Sequence, residues 1–315
     1  MHLASLAPRR FLLITVVCCW TIAPGLSRAD EPLRWKFTAG EQLDYQMSQD
    51  MNMKMDAGPA GKLAITTGQS KNMTWNVKSV DEKGDAVIVQ KITRIRMKMA
   101  APNGQGFEYD TDSEEPAVGT AAMMAPTMEA MTDGEFTFTM TPWGDVRDTK
   151  MSDELLAALK NGPGGENGAV EQFTSMVSQV ALVLPKSSLK PGEVWKTTIA
   201  VADPSGGKQS VETTYKFDGT RDVDGTTYAV IKPSMTMELA NNPMMEMKMK
   251  EQKTDGEVLF DLGAGRLEST SINQNMTVDI VAAGQTMPGT IDQKIEVKVT
   301  PREDRSEMRS QTSEN

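Results

Sequence analysis

The 315-residue chain carries 33 basic and 43 acidic residues, one histidine and two cysteines, for a formal net charge of −10. An acidic balance of this size argues against nucleic acid or an anionic membrane surface as a partner. Aromatic residues make up only 5% while methionine occurs 24 times, so thioethers carry much of the apolar material.

Residues 1–29 read as a secretory signal peptide. Arg9 and Arg10 give the basic start, Phe11 to Leu26 the apolar stretch, and Ser27-Arg28-Ala29 a small-x-small cleavage site. Phe11 directly after the two arginines fits a twin-arginine signal poorly, which favours general secretion. Pro24 and Gly25 interrupt the apolar stretch, and no later run reaches about 18 apolar residues. The mature chain, from Asp30, is therefore expected to have no transmembrane segment and to be exported, periplasmic or extracellular. His2, Cys18 and Cys19 leave with the signal, and Val16-Val17 before Cys18 does not fit lipoprotein cleavage. What remains has 30 basic against 43 acidic residues and neither cysteine nor histidine. Without disulfides in an oxidising compartment it must be held by its core, as one large domain or two small ones.

From Leu43 to Met55 the sequence alternates with period two. Leu43, Tyr45, Met47, Gln49, Met51, Met53 and Met55 fall on one side, and Asp44, Gln46, Ser48, Asp50, Asn52 and Lys54 on the other. Such a strand spans on the order of 40 Å, which points to a broad, curved antiparallel sheet. Ile272, Met276, Val278 and Ile280 alternate in the same way, as do Ile291, Ile295, Val297 and Val299. These are half-buried strands, unlike the continuous apolar runs of a parallel sheet.

Two segments, 30–150 and 186–300, repeat the same order of features. Phe37-Thr-Ala-Gly40-Glu41 matches Leu189-Lys-Pro-Gly192-Glu193, Trp75-Asn-Val77 matches Tyr215-Lys-Phe217, and Gly134-Glu-Phe136 matches Gly256-Glu-Val258. The predicted fold is mainly β: two related antiparallel meanders of four or five strands forming a large curved sheet, half-barrel or sandwich. A helical connector over 151–185 separates them. Ser152 caps a helix through Leu155, Leu156 and Leu159, and Val170, Phe173, Met176, Val177, Val180 and Leu184 form an apolar stripe that Pro185 stops. Residues 103–133, acidic and then Ala/Met/Pro-rich, read as a mobile insertion, and 301–315 as a disordered tail.

The motifs "FTAGEQLDY", "LKPGEVW", "VDGTTYAVI" and "FDLGAGRLES", after a signal peptide, resemble an uncharacterised family of secreted bacterial, planctomycete-type β-rich proteins over residues 33–300. The shared motifs are structural turns, so the resemblance implies no activity, cofactor or site residue. Long antiparallel strands with a helix between halves are also similar to the half-barrel of lipoprotein carriers.

A mature chain without His or Cys excludes Ser-His-Asp and Cys-His catalysis and ordinary zinc sites. No phosphate loop, dinucleotide fingerprint or nucleophile elbow is present, so no enzyme and no cofactor is expected. Asp110, Asp112, Glu114 and Glu115 contain no calcium-loop pattern and read as a solvated acidic loop. Methionine remains. Thioethers suit Cu(I) or Ag(I), with Met51, Met53, Met55, Met245, Met247 and Met249 as candidate ligands. Register favours packing instead, since Met51, Met53 and Met55 continue the side of Leu43 and Tyr45, and Met97 and Met99 follow Ile95. Val and Ile are better strand formers, so the choice of Met suggests adaptable contact with an apolar small molecule or lipid. On that reading Met51, Met53, Met55, Met97, Met99, Met235 and Met237 line a binding face of a non-catalytic binding or structural protein.

Overall fold

The computed structural model describes residues 31–302 except 57, 59–60, 105, 160–176, 178–180, 203–207, 239–244 and 283–284. The expected signal peptide lies outside the described residues. So do residues 303–315 and, in the connector stripe, Val170, Phe173, Met176 and Val180.

Twelve strands alternate with turns: β1 (Gln42–Asp56), β2 (Lys62–Val80), β3 (Ala86–Ala100), β4 (Gly106–Asp110), β5 (Glu135–Met140), β6 (Val146–Met151), β7 (Val194–Ala202), β8 (Lys208–Val223), β9 (Thr226–Glu238), β10 (Met245–Asp261), β11 (Arg266–Ala282) and β12 (Gln285–Pro301). Among the described residues two short helices, α1 (Thr120–Asp133) and α2 (Asp153–Leu159), follow β4 and β6. All pairings are antiparallel, in the order β6-β5-β3-β2-β1-β12-β11-β10-β9-β8-β7, with β4 beside β3. Of the architectures left open by the sequence, this is one large unclosed sheet, in which two meanders meet where β1 pairs β12. The alternation of β1 explains its length. Leu43 to Met55 pair without a break with Trp75 to Leu63 on one side and Pro301 to Gly289 on the other.

The sheet curls strongly at one end. Trp35 N–H donates to Pro142 O in the β5–β6 turn (2.8 Å), and Lys36 N–H donates to Gly265 O in the β10–β11 turn (2.8 Å). In a flat sheet the five strand spacings from β5 to β11 would separate those turns by about 24 Å, whereas successive Cα atoms lie roughly 3.8 Å apart. The strap around residues 33–37 therefore ties two distant strands together. Bulges at Asn72/Met73 and Val77/Ser79 in β2, and at Leu259/Phe260 in β10, supply local bending.

The main core fills this end. Trp35, Trp75, Tyr45, Phe136, Phe138 and Phe260 are fully buried there, closed over by Leu155 of α2 and by Val177, Ala181, Leu182, Leu184 and Leu189. Trp35 Nε1 donates to Leu182 O (2.9 Å), and Leu184 N donates to Trp143 O (2.7 Å). The chain passes so close to the β5–β6 turn that a Cβ on Gly144, at φ +86°, would stand 2.3 Å from Leu182 O. Val177 and Leu184 are both buried, while residues 181–184, expected to continue a helix up to Pro185, are irregular.

The α2 helix starts where Ser152 predicts, with the Leu155 N–H donating to Ser152 Oγ (3.4 Å). Residues 103–133 do insert between β3 and β5, but they carry their own structure. Phe107 and Tyr109 of β4 pair opposite Met99 and Met97, while Ala121 and Ala125 of α1 are buried and Met128 and Met131 pack on the core. The apolar contacts hold as a helix a segment whose Ala/Met/Pro-rich composition, with Pro126 inside it, reads as loop. Ahead of the tail, the Arg302 guanidinium binds both Asp44 carboxylate oxygens (2.7 and 3.0 Å).

The paired turn motifs share their hydrogen bonds. Gly40 N donates to Val77 O and Val77 N to Glu41 O (2.8 and 2.9 Å); Gly192 N donates to Phe217 O and Phe217 N to Glu193 O (2.7 and 2.9 Å). Both glycines have positive φ, 88° and 94°, the conformation that glycine adopts without a Cβ penalty.

Candidate functional site

Pairing register defines one continuous inner face. Toward the strap it is aromatic; toward the β1–β2 turn it becomes rich in methionine. Met53 stands opposite Ile65 and Ile291, Met55 opposite Leu63, and Met276 opposite Ile291. Val278 and Ile280 follow Met276 on β11, with Met249 and Met287 paired to them from β10 and β12. Met276, Val278, Ile280 and Ile291 are buried, and Met51, Met53, Met55, Met249 and Met287 pack on them half-buried. Every member of this second cluster belongs to a strand.

The other predicted methionines divide. Met97 packs against the main core and Met99 is half-buried opposite Phe107 of β4. Met235 is half-buried on β9, where strands β9 and β10 part: among the described residues they pair between Tyr228–Ile231 and Val258–Asp261. Beyond that, side chains bridge them. Gln252 Nε2 donates to Met235 O (2.5 Å), and Met235 N donates to Thr254 Oγ1 (3.4 Å). The backbones of Met237, Met245 and Met247 pair opposite Val211, Ala282 and Ile280, and their side chains lie outside the described residues. The thioethers of Met51, Met53, Met55 and Met249 have apolar partners, and no feature of the site favours a soft-metal centre over packing.

Between the two clusters runs a polar belt that sequence reasoning passed over. Gln49 and Gln69 are direct cross-strand partners, as are Gln274 and Gln293, while Gln293 also pairs opposite Met51. Gln69 Nε2 donates to Gln49 Oε1 (2.6 Å). Gln274 is 1% exposed, and its Nε2 has no hydrogen-bond partner. Lys71, two residues along β2 from Gln69, lies on the same face between Met47 and Ile95, and burial lowers its pKa. At the aromatic end burial pushes the Tyr45 phenol pKa up, and its hydroxyl also lacks a partner. The signal for the belt was present as Gln at apolar-side positions such as Gln49.

The opposite face is polar. There, residues 113–118 and β1–β4 bound a groove of about 570 Å³ lined by Asp50, Ser70, Arg96, Lys98 and Glu108. Of the acidic loop, Asp110 is ion-paired to Arg94 (2.6 Å), whose hydrogen bond holds its carboxyl below the usual range, and Asp112 also reaches Arg94 (3.2 Å). Among the described residues no group of three His, Cys, Asp or Glu is arranged to hold a metal ion. A second cavity, of about 30 Å³, lies beside Leu33 and Phe260. Neither is lined by Met51, Met53 or Met55.

Fold and site together define an open antiparallel-sheet protein with a plugged aromatic end and an apolar, methionine-rich other half. The chain belongs to a family of unknown function, DUF6263, whose model matches residues 83–259. No curated protein matches it in sequence. Among solved structures it is similar to lipovitellin, described for its lipid–protein interactions, at 9% identity and TM-score 0.46 over 84% of this chain. It spans only 25% of that chain's length. It is also similar to an exported protein with a YmcC-like fold from Bacteroides fragilis (8% identity, TM-score 0.27, 82% and 96% of the two chains). An outer-membrane channel from Pseudomonas putida F1 matches at 8% identity and TM-score 0.21, over 84% and 97% of the chains. Among the described residues no helix is long and apolar enough to cross a membrane.

Proposed function

We propose that the protein is exported to the periplasm or beyond, is built of two related copies, and binds an apolar ligand without catalysing a reaction. The ligand lies on the methionine half of the inner face, against Met51, Met53 and Met55, with Met99, Met235 and Met237 at its margins and Met97 where that half meets the core. One observation carries this reading. The aromatic half of the face is sealed by the strap, α2 and residues 181–189, whereas the second apolar cluster is made of strand residues alone. Met51, Met53, Met55, Met249 and Met287 stay partly exposed over the buried Met276, Val278, Ile280 and Ile291, a layer that an apolar ligand can cover, and unbranched thioethers adapt to varied apolar shapes. The opposite face, with Asp44, Asp50, Lys54, Lys294 and Glu296, suits water and not the lipid-facing band of a membrane barrel.

Native mass spectrometry of the purified protein tests the reading. It is expected to show an adduct of apolar mass that organic extraction removes and added lipid restores. A protein that carries nothing and takes up nothing contradicts it.

A further inference from the structure

We propose that the glutamine belt receives the oxygen-bearing head of a single-chain amphiphile, an acyl carboxylate or ester carbonyl, while its hydrocarbon lies along the methionine half of the face. This rests on the reading of that half as an apolar binding face and adds the polar end of the ligand. Gln274 is buried on a strand between Ile272 and Met276, both also buried, yet its Nε2 has no acceptor. A buried amide donor without a partner costs stability, and a ligand oxygen at this level would offset it. The belt is not one residue. Gln49, Gln69 and Gln293 bring further amides to the same level of the sheet, and Lys71 adds a positive charge to this face in an otherwise acidic protein. From the belt, β1 runs on through Met51, Met53 and Met55, about 20 Å of apolar track.

The probes are laurate, methyl laurate and dodecyltrimethylammonium, each below its micellar concentration, titrated against the full mature chain by calorimetry. All three carry a long chain, and the ammonium head has no hydrogen-bond acceptor. Laurate is expected to bind more tightly than dodecyltrimethylammonium, against the pull of the net charge. Gln274→Leu is expected to weaken laurate roughly 10- to 100-fold, the worth of a hydrogen bond to a charged group, with the ammonium probe unchanged. The substitution removes the unpartnered group, so the variant should unfold at no lower urea concentration than the parent. Methyl laurate that responds like laurate assigns the head to a carbonyl; laurate responding alone assigns it to a carboxylate. If both charged probes bind and Gln274→Leu changes neither, the belt proposal is overturned and the apolar face stands. If no probe binds, the apolar reading falls and takes the belt with it.

Discussion

Trp35→Ala is expected to be the most damaging single substitution in the chain, costing about 3–5 kcal/mol. Trp35 is 1% exposed and sits against Phe37, Trp75 and Phe260, with ring centroids 6.0, 6.5 and 5.5 Å away. Its truncation opens a cavity at the point where the strap joins the β5–β6 turn to the β10–β11 turn. It also leaves Leu182 O without its donor, inside the core. Trp35→Phe keeps most of the packing and removes only the indole N–H, so it should cost nearer 1–2 kcal/mol. Urea denaturation of the two variants beside the parent measures both values. Equal, small losses would mean that the strap does not hold the curl.

The second large effect concerns binding. Replacing Met51, Met53 and Met55 together by threonine, a good strand former, should weaken uptake of an apolar probe at least about 10-fold, because several methylene equivalents of contact are lost at roughly 0.8 kcal/mol each. The same protein should stay folded. These side chains are half-buried, and among the described residues the cluster they belong to contains strand residues alone, so each change should cost the modest amounts typical of partly exposed positions. Were the three methionines ordinary core, each truncation would cost about 2–5 kcal/mol, and the sum would exceed the stability of most domains. Folding therefore separates the two interpretations before any ligand is added. Substituting Asn52 and Lys54, on the other face of the same strand, serves as the control and should change neither property.

Much of this fold could be read locally. The alternation of Leu43 to Met55 specified a long two-faced strand, and it occupies β1. Ser152 with Asp153 and Glu154 marked the start of α2. The curl could not be read, because it depends on Trp35 and Lys36 meeting Pro142 and Gly265, contacts that no local pattern encodes. The pairing of β1 with β12 is equally non-local, which is why half-barrel and sandwich stayed open. Helix α1 was missed because local propensity points to loop at Pro126, while burial of Ala121 and Ala125 decides in favour of helix. At the candidate site the apolar register of Met51, Met53 and Met55 was legible. The glutamine belt was not, since a lone Gln49 in an apolar series looks like noise until Gln69 and the Gln274–Gln293 pair appear beside it.

The central claim is that the methionine half of the inner face holds a ligand while the aromatic half is core. Methyl-selective NMR of 13C-methyl-methionine protein, titrated with laurate, tests it most directly. The expected result is that the methyl signals of Met51, Met53, Met55, Met249 and Met287 shift, while those of Met73 and Met140, 2% and 0% exposed in the main core, stay in place. Signals of the second cluster that stay fixed at saturating laurate, or that move only together with Met73 and Met140, would contradict the account.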